Sequence, residues 1–468
     1  MDIVEQVKLF MEPKSIALIG ISSRTGVYSF NILENLLDLG YHREIYPVNP
    51  RVEEILGKKT YSNIEKIDGD VDLAIVSTPR EQTVRVVEDC IKKGIKAVII
   101  VGQGFADAND EEGKRLQKEI KRIIQGTGTR IIGPNTIGVS NPFIDFSTSF
   151  VKQPDMKKLP IGIICQTGMF FGSFPDLNIL GKGIDLGNAC DLHFADCLEY
   201  FEHDQDTGII FLHIEGLKNG RRFVEIAKRV SRKKPILALK TGISPLSAKA
   251  AQSHTGSIIG NDEISEAAFK QSGIIRVRDF DEIGDMVKAF SCLPPMQGRS
   301  IGIVSLSGGI GLMAMDACEE YGLNVPKLSQ EIQEKIVSIS PQWHSINNPV
   351  DIWPAMGISR HPFGEVLKTT IEAVLTDERI DAVLLIVGAW FESISPPFSD
   401  IVLEIADRFK DKPIAWAPYE GWLFNISTRE IEDRVKEHGR VAIFSSPKRA
   451  LKALSKLALY SEFLMNKK

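Results

Sequence analysis

Residues Ser15 to Gly40 read SIALIGISSRTGVYSFNILENLLDLG: an apolar run, a glycine-containing turn, then a stretch whose apolar side chains return at helical spacing. This is the opening of a βα unit. It recurs as PIGIICQTGMFFGSFPDLNILG (Pro160 to Gly181) and as SIGIVSLSGGIGLMAMDACEEYG (Ser300 to Gly322). Each recurrence begins about 140 residues, one domain length, beyond the last. Between these openings short β-rich runs alternate with helical patterns, as parallel sheets built by crossover helices require.

In the first segment the strands are expected at Ile16 to Ile19, Glu44 to Val48, Leu73 to Ser77, Ala97 to Val101 and Arg130 to Ile132. In the second they are expected at Ile161 to Cys165, Lys182 to Leu186, Thr207 to Ile214, Pro235 to Lys240 and Gly273 to Val277. The third offers Gly302 to Ser305, Ala382 to Val387, Pro413 to Ala417 and Val441 to Phe444. Polar and Pro/Gly links at Lys152 to Pro160 (KQPDMKKLP) and Leu293 to Arg299 (LPPMQGR) mark boundaries. The 468 residues are thus expected to form an α/β protein of three consecutive open parallel sheets, over 1–150, 151–294 and 295–468.

Composition narrows the function classes. Hydrophobic residues at 43% and charged residues at 25%, with a mean hydropathy of −0.04, belong to a folded globular chain and argue against disorder. The 56 basic and 61 acidic residues leave a net charge of −5 spread along the chain, so no basic face points to nucleic acid or anionic lipid. Six cysteines show no CxxC pair and no His/Cys metal spacing, which fits a reducing cytoplasm and no metal site. Met1 to Phe10 lacks the apolar core of a secretory signal, and runs such as Ala382 to Trp390 fall short of the ~20 residues of a membrane span. Neither export nor membrane insertion is expected.

The first turn, Gly20-Ile-Ser-Ser-Arg-Thr-Gly26, lies between a strand end and a helix start, where free N–H groups and the helix dipole attract anions. It lacks the order GxGxxG, and the second strand ends at Pro47-Val-Asn-Pro-Arg51, without the acid that would hold the ribose of NAD. Arg51 instead offers a cation to a phosphorylated ribose, as in NADP or coenzyme A. The alternative is that Gly20 and Gly26 only make a tight turn. Ser77-Thr78-Pro79, Val101 to Phe105 and Gly133-Pro134-Asn135-Thr136 follow further strands on the same edge, the one where open α/β sheets bind ligands; otherwise they are ordinary loops.

In the second segment KAAQSHTGSIIG (Lys249 to Gly260) sets His254 among Ser253, Thr255 and Gly256, small donors suited to phosphate oxygens. An imidazole nucleophile needs a partner on its other nitrogen. Glu215, ending the apolar strand GIIFLHI, is the candidate, with His213 on the same face; alternatively Glu215 caps a loop or pairs with Lys218 or Arg221. Gln166-Thr167-Gly168 opens a second turn whose N–H groups suit a phosphate. Gly187 and Asn188 follow another strand and are candidates for an acyl pocket. Cys165 reads as an inert buried strand cysteine.

Together these residues resemble the nucleoside-diphosphate-forming acyl-CoA synthetases, most closely the alpha subunit of the ADP-forming acetyl-CoA synthetases, and over two domains the alpha subunit of succinyl-CoA synthetase. The resemblance rests on YPVNPR (Tyr46 to Arg51), GPNTIGV (Gly133 to Val139), HIEGLKNGRRF (His213 to Phe223), SHTGSIIGND (Ser253 to Asp262) and NNPVD (Asn347 to Asp351).

The resemblance implies a Rossmann-like CoA-binding domain followed by two flavodoxin-like ligase domains. It implies that His254 is phosphorylated, that Glu215 supports it, and that Gln166, Thr167, Gly168, Ser253, Thr255 and Gly256 hold the phosphate. Gly187 and Asn188 would then line the acyl pocket. It implies coenzyme A contacts at Gly20, Ser22, Ser23, Arg24 and Gly26, at Asn49 and Arg51, and at Ser77, Thr78, Pro79, Gly104, Phe105 and Asn135. The implied reaction turns acyl-CoA, phosphate and ADP into a small carboxylic acid, coenzyme A and ATP through an acyl phosphate and phosphohistidine. No GxxxxGK[ST] loop is present, so ADP or ATP with Mg2+ is expected on an ATP-grasp beta subunit, in a heterotetramer, with the third domain mainly in packing.

The family's usual GPNC reads here with Thr136, its QSG with Thr167, and its third-domain turn as Ser305-Leu-Ser-Gly-Gly-Ile310-Gly311. These departures bear on the acid used. A larger or dicarboxylic acid is one alternative, and a non-catalytic CoA-binding regulatory protein is another. Trp343, Trp353 and Trp390 are expected in core or interface packing.

Overall fold

Apolar side chains alternate across each expected strand. In the first, Ile16 and Leu18 join one buried cluster while Ala17 and Ile19 join another on the opposite face. A strand buried on both faces belongs inside a parallel sheet covered by helices on each side. The computed structural model describes residues 1–26, 28–153, 156–171, 180–247, 261–358, 361–419 and 428–466. It divides into two compact units, Met1–Arg278 and Asp279–Lys468.

The first unit opens with β1 (Ser15–Ile19), β2 (Glu44–Val48), β3 (Glu54–Ile55), β4 (Lys58–Lys59), β5 (Leu73–Val76), β6 (Ala97–Ile100) and β7 (Arg130–Ile132). Five of these form a parallel sheet in the order β2-β1-β5-β6-β7, and β3 pairs with β4 in a small hairpin. Then come β8 (Val139–Asn141), β9 (Phe146–Ser147), β10 (Ile161–Cys165), β11 (Lys182–Asp185), β12 (Ile209–Ile214), β13 (Ile236–Lys240) and β14 (Ile275–Val277). They form a seven-stranded sheet in the order β14-β13-β12-β10-β11-β8-β9, parallel except at the antiparallel β11–β8 and β8–β9 pairings. The three-sheet α/β expectation holds.

The two sheets of this unit share material. β8 and β9 fall within residues expected to close the first domain, yet β8 pairs antiparallel with β11, Ser140 opposite Gly183. One apolar cluster holds Ile16, Leu18, Leu73 and Ile99 of the first sheet together with Ile164, Ile184, Ile210 and Leu212 of the second. Helix Ile3–Met11, with Val7, Phe10 and Met11 buried, packs on helix Phe194–His203 within that cluster. Burial of this kind is the main driving force for folding, and here it welds two sheets into one body.

The second unit has β15 (Ile301–Ser305), β16 (Val350–Asp351), β17 (Ala382–Ile386), β18 (Ile414–Trp416) and β19 (Val441–Ile443), parallel in the order β16-β15-β17-β18-β19. β16 is two residues long, too short for any periodicity to announce it. Helix Phe280–Cys292, expected at the end of the second domain, belongs to this unit. Asp285 takes a bidentate bond from Arg449 of helix Pro447–Met465, at 2.6 and 3.0 Å, and Lys452 pairs with Glu282.

Candidate functional site

The carboxyl ends of β1, β5 and β6 enclose a cavity of about 270 Å3, lined by Gly20, Ser22, Asn31, Ser77 and two aromatic rings, Phe30 and Phe150. The rings meet edge to face at 5.8 Å. Asn31 shapes the entrance. Its Oδ1 caps helix Ile32–Asp38 by accepting from the Leu33 and Glu34 N–H groups, while its Nδ2 donates to the Ser22 and Arg24 carbonyls at 3.0 and 2.8 Å. Glu34 accepts from the Gly26 N–H at 2.9 Å. Asn49 donates to the Ile21 carbonyl and accepts from the Arg51 N–H. Ser23, Arg24 and Arg51 are exposed at this edge. A cavity lined by polar and aromatic side chains, with exposed arginines on the two loops that follow β1 and β2, suits a ligand that is anionic at one end and flat or aliphatic at the other. The sequence signal for Asn31 and Glu34 is N-x-x-E ahead of an apolar run, a helix-capping pattern.

Some expected contacts have other work. Thr78 bonds Thr83, and Pro79 starts helix Arg80–Lys93. The Gly104 and Phe105 N–H groups both donate to the Asp107 carboxylate, and the Phe105 ring is wholly buried in the core. Phe105 is therefore a core residue, because its apolar ring faces the sheet and not the loop edge.

Asn135, at a φ of 59°, belongs to a loop that leaves the first sheet and lies against the second. A methyl group at Gly187, itself at a φ of 51°, would stand 2.3 Å from the Asn135 carbonyl oxygen and 2.4 Å from that of Pro134. A methyl at Gly168 would stand 2.9 Å from Ile137 Cδ1. Asn188, 4% exposed, donates to Asp107 at 2.7 Å and to Gln117 at 3.0 Å, and accepts from Asn135 at 3.4 Å. Gly187 and Asn188, expected beside an acyl pocket, are both placed at this contact. They form the joint between the two sheets, since backbone contact fills the space at Gly187 and the Asn188 amide is committed on both atoms. Thr136 is equally closed in. Its hydroxyl accepts from the Gly138 N–H at 2.8 Å and donates to the Asp185 carbonyl, so the departure from cysteine there is absorbed by the joint.

On the second sheet's carboxyl edge, Gln166 Oε1 accepts from the backbone N–H groups of Glu215 and Gly216 at 2.8 and 3.0 Å. The Gln166 side-chain oxygen is thus a strut between two loops. The Thr167 N–H is directed at the Cys165 sulfur. Residues Gly168–Phe171 form one 3-10 turn. Glu215 is half-buried, with Oε2 shielded from solvent. Lys240, buried at the end of β13 and missed in the sequence, donates to the Glu215 carbonyl at 2.8 Å, and burial lowers its ammonium below the ordinary lysine value.

His213 is 3% exposed and packs on Phe170, with the ring centroids 5.3 Å apart and the planes tilted by 43°. Its Nε2 lies 3.3 Å from the Thr241 hydroxyl, and burial brings its pKa down to about 4, so the ring is neutral. Burial pushes the Cys165 thiol far above its ordinary range, in keeping with the inert reading. Ser253, His254, Thr255 and Gly256 lie outside the described residues. Helix Asp262–Ser272, next in the chain, is capped by Asn261 and held by Arg276, which bonds Asp262 and Glu266 at 2.6 Å each.

In the second unit, Ser307 precedes helix Gly308–Glu320 at the N-cap position without a side-chain capping bond, and a methyl at Gly308 would lie 3.1 Å from Asp351 of NNPVD. Asn348 of the same motif is structural, bonding Ile303, Ile301 and Pro326. Trp343 and Trp353 are 68% and 60% exposed, so neither is a core residue. The Trp390 side chain is outside the described set.

Comparison with known proteins agrees with this geometry. A CoA binding domain model matches residues 14–142, a succinyl-CoA ligase like flavodoxin domain model residues 159–290, and a Ligase-CoA domain model residues 301–453. Acetate–CoA ligase [ADP-forming] II of Archaeoglobus fulgidus is 38% identical over 384 residues, covering 81% of this chain and 56% of its own, so this chain spans about half the length of that relative. Acetate–CoA ligase [ADP-forming] I subunit alpha of Pyrococcus furiosus is 34% identical over 467 residues, covering 98% of each. The solved structure of the dinucleotide forming acetyl-coenzyme A synthetase 1 of Ca. Korarchaeum cryptofilum, in complex with phosphate and ADP, matches with a TM-score of 0.84 at 28% identity and covers 98% of each chain. With that coverage from end to end, the chain belongs to the alpha-subunit family of the ADP-forming acyl-CoA ligases.

Proposed function

We propose that this chain binds coenzyme A at the edge of its first sheet and carries a phosphoryl group on His254 within an ADP-forming acyl-CoA ligase. The observation that supports it most is a run of contacts from one sheet to the other. The Gly133–Ile137 loop leaves the cofactor sheet and meets Gly168, two residues from Gln166, which bonds the backbone of Glu215. A thioester presented by the first sheet thus arrives beside the carboxylate assigned to the phosphorylated histidine.

In this reading phosphate attacks the thioester carbonyl of acyl-CoA, the C–S bond breaks, and the thiolate leaves with a proton as coenzyme A. His254 then attacks the phosphorus of the acyl phosphate, the P–O bond to the acyl group breaks, and the carboxylate departs. Phosphohistidine passes its phosphoryl group to ADP on an ATP-grasp partner subunit, which holds Mg2+ with the nucleotide, in a heterotetramer. Glu215 fixes the imidazole tautomer and offsets the charge that develops on the ring. Two chemical steps joined by a covalent carrier need not share one space at one time.

Among the described residues no group of three His, Cys, Asp or Glu side chains is placed to hold a metal ion, and no step is routed through one on this chain. No helix among them is long and apolar enough to cross a membrane. We place the enzyme in the cytoplasm, in keeping with six free cysteines.

The test is to incubate the chain with acyl-CoA and labelled inorganic phosphate and look for an acid-labile, base-stable phosphoryl label. Label is expected in the wild type and absent in His254→Ala. An unlabelled wild type, or equal label in the variant, would leave a non-catalytic CoA-binding protein.

A further inference from the structure

The joint between the two sheets contains a carboxylate that no sequence pattern announces. Asp185 ends β11 and is 2% exposed. Its Oδ2 accepts from the Ile137 N–H at 2.9 Å and its Oδ1 from the Gly187 N–H at 3.2 Å. Its own N–H donates to the Gly138 carbonyl at 2.8 Å, and its carbonyl accepts from the Thr136 hydroxyl. One residue of the second sheet therefore takes hold of three consecutive residues, 136 to 138, of the loop arriving from the first.

A neutral side chain would fill this space at less cost, since a buried carboxylate without a cation is expensive. Burial, with the charge of Glu215 adding to it, raises the Asp185 carboxyl to about 6, while the Ile137 and Gly187 bonds act the other way. Among the described residues, the titratable groups that face the carboxyl are Glu215 and the Cys165 thiol, 4.0 Å from Oδ1, which burial keeps protonated.

We propose that Asp185 is a positioning residue for the thioester step, holding the Ile137 amide so that the Asn135–Ile137 loop stays seated against Gly168. The idea rests on the reading above in which that loop presents the thioester. Ile137 is the point of leverage. Its N–H is fixed by Asp185 and its side chain packs on the Gly168 backbone, so freeing the amide shifts the wall between the two half-reactions.

Asp185→Asn keeps the shape but replaces one acceptor oxygen with an NH2 group and cannot titrate. In the complex with its partner subunit, conversion of acyl phosphate and coenzyme A to acyl-CoA should fall about tenfold. Labelling of His254 from acyl phosphate, which needs no coenzyme A, should stay within twofold. In the wild type the CoA-dependent step should decline as pH falls through about 6, and that limb should vanish in the variant. Equal loss in both half-reactions, or an acid limb that survives in Asp185→Asn, would overturn the proposal.

A second measurement needs no variant. Amide exchange of the Ile137 peptide in the wild type, corrected for intrinsic rates, should lose protection as pH drops from 7 to 5. Constant protection would overturn the proposal. If the wild type took no label at all, the histidine-carrier reading would fail while the exchange result stood on its own.

Discussion

Gly187→Ala puts the joint between the two sheets of the first unit to a direct test. Gly187 sits at a φ of 51°, and an added methyl would lie 2.3 and 2.4 Å from two carbonyl oxygens, those of Asn135 and Pro134. Holding an L-residue in the left-handed region costs roughly 1–2 kcal/mol. Forcing a methyl into a filled space costs about 1–3 kcal/mol more, because backbone oxygens cannot rotate away as a side chain does. The sum is about 2–5 kcal/mol, which for a unit of this size lowers the melting temperature by roughly 5–15 °C. If the strain is relieved locally instead, residues 134–135 move, and coenzyme A affinity should drop tenfold or more.

Thermal unfolding and calorimetric titration with coenzyme A together capture either outcome. Gly220→Ala is the control, since nothing lies within 4 Å of a methyl there and its φ is ordinary; it should stay within about 0.5 kcal/mol of wild type. A Gly187→Ala protein with wild-type stability and wild-type affinity would show that the close approach of the two loops is not what joins the sheets.

Two further outcomes are expected. Glu215→Gln should slow phosphohistidine formation at least tenfold while coenzyme A affinity stays within twofold, as neutral glutamine cannot offset charge on the ring; unchanged labelling would remove Glu215 from the mechanism. Because the folded His213 ring has its pKa lowered to about 4, the unfolded chain binds the extra proton between pH 6.5 and 4. Its contribution is therefore full above about pH 6.5 and is lost as pH falls, up to about 3 kcal/mol by pH 4 at 1.36 kcal/mol per unit. His213→Phe should flatten that part of the urea midpoint against pH, and an unaltered slope would contradict the burial argument.

Much of the candidate site was legible because its signals are local. A glycine turn after an apolar run places Gly20 and Ser22 at a sheet edge, and they line the cavity found there. Glu215 ends a buried strand as its spacing predicts, and Gln166 lies beside it. The partners of these groups were not legible. Gln166 was expected to offer its N–H to phosphate, and nothing local announced that its side-chain oxygen accepts from two amides 49 and 50 residues further along the chain. Lys240 reads as the polar end of a strand until β12 and β13 are paired, which brings its ammonium to the Glu215 carbonyl. Phe105 sits in a glycine-rich loop and still turns into the core.

What the amino-acid sequence determined by itself was the α/β class, the longer strands of three parallel sheets and the glycine turns that follow them. Periodicities of 2 and 3.6 and the capping residues are written over a few neighbours, and they survive whatever the rest of the chain does. What only the tertiary structure decided was which surfaces meet. It set β8 and β9 into the second sheet, merged two expected cores into one, and turned Asp185, Gly187 and Asn188 into a joint. Those outcomes depend on burial and on hydrogen bonds between residues tens of positions apart. No short window of sequence carries that information, because the cost of leaving a buried polar group unpaired is felt only once the chain has closed around it.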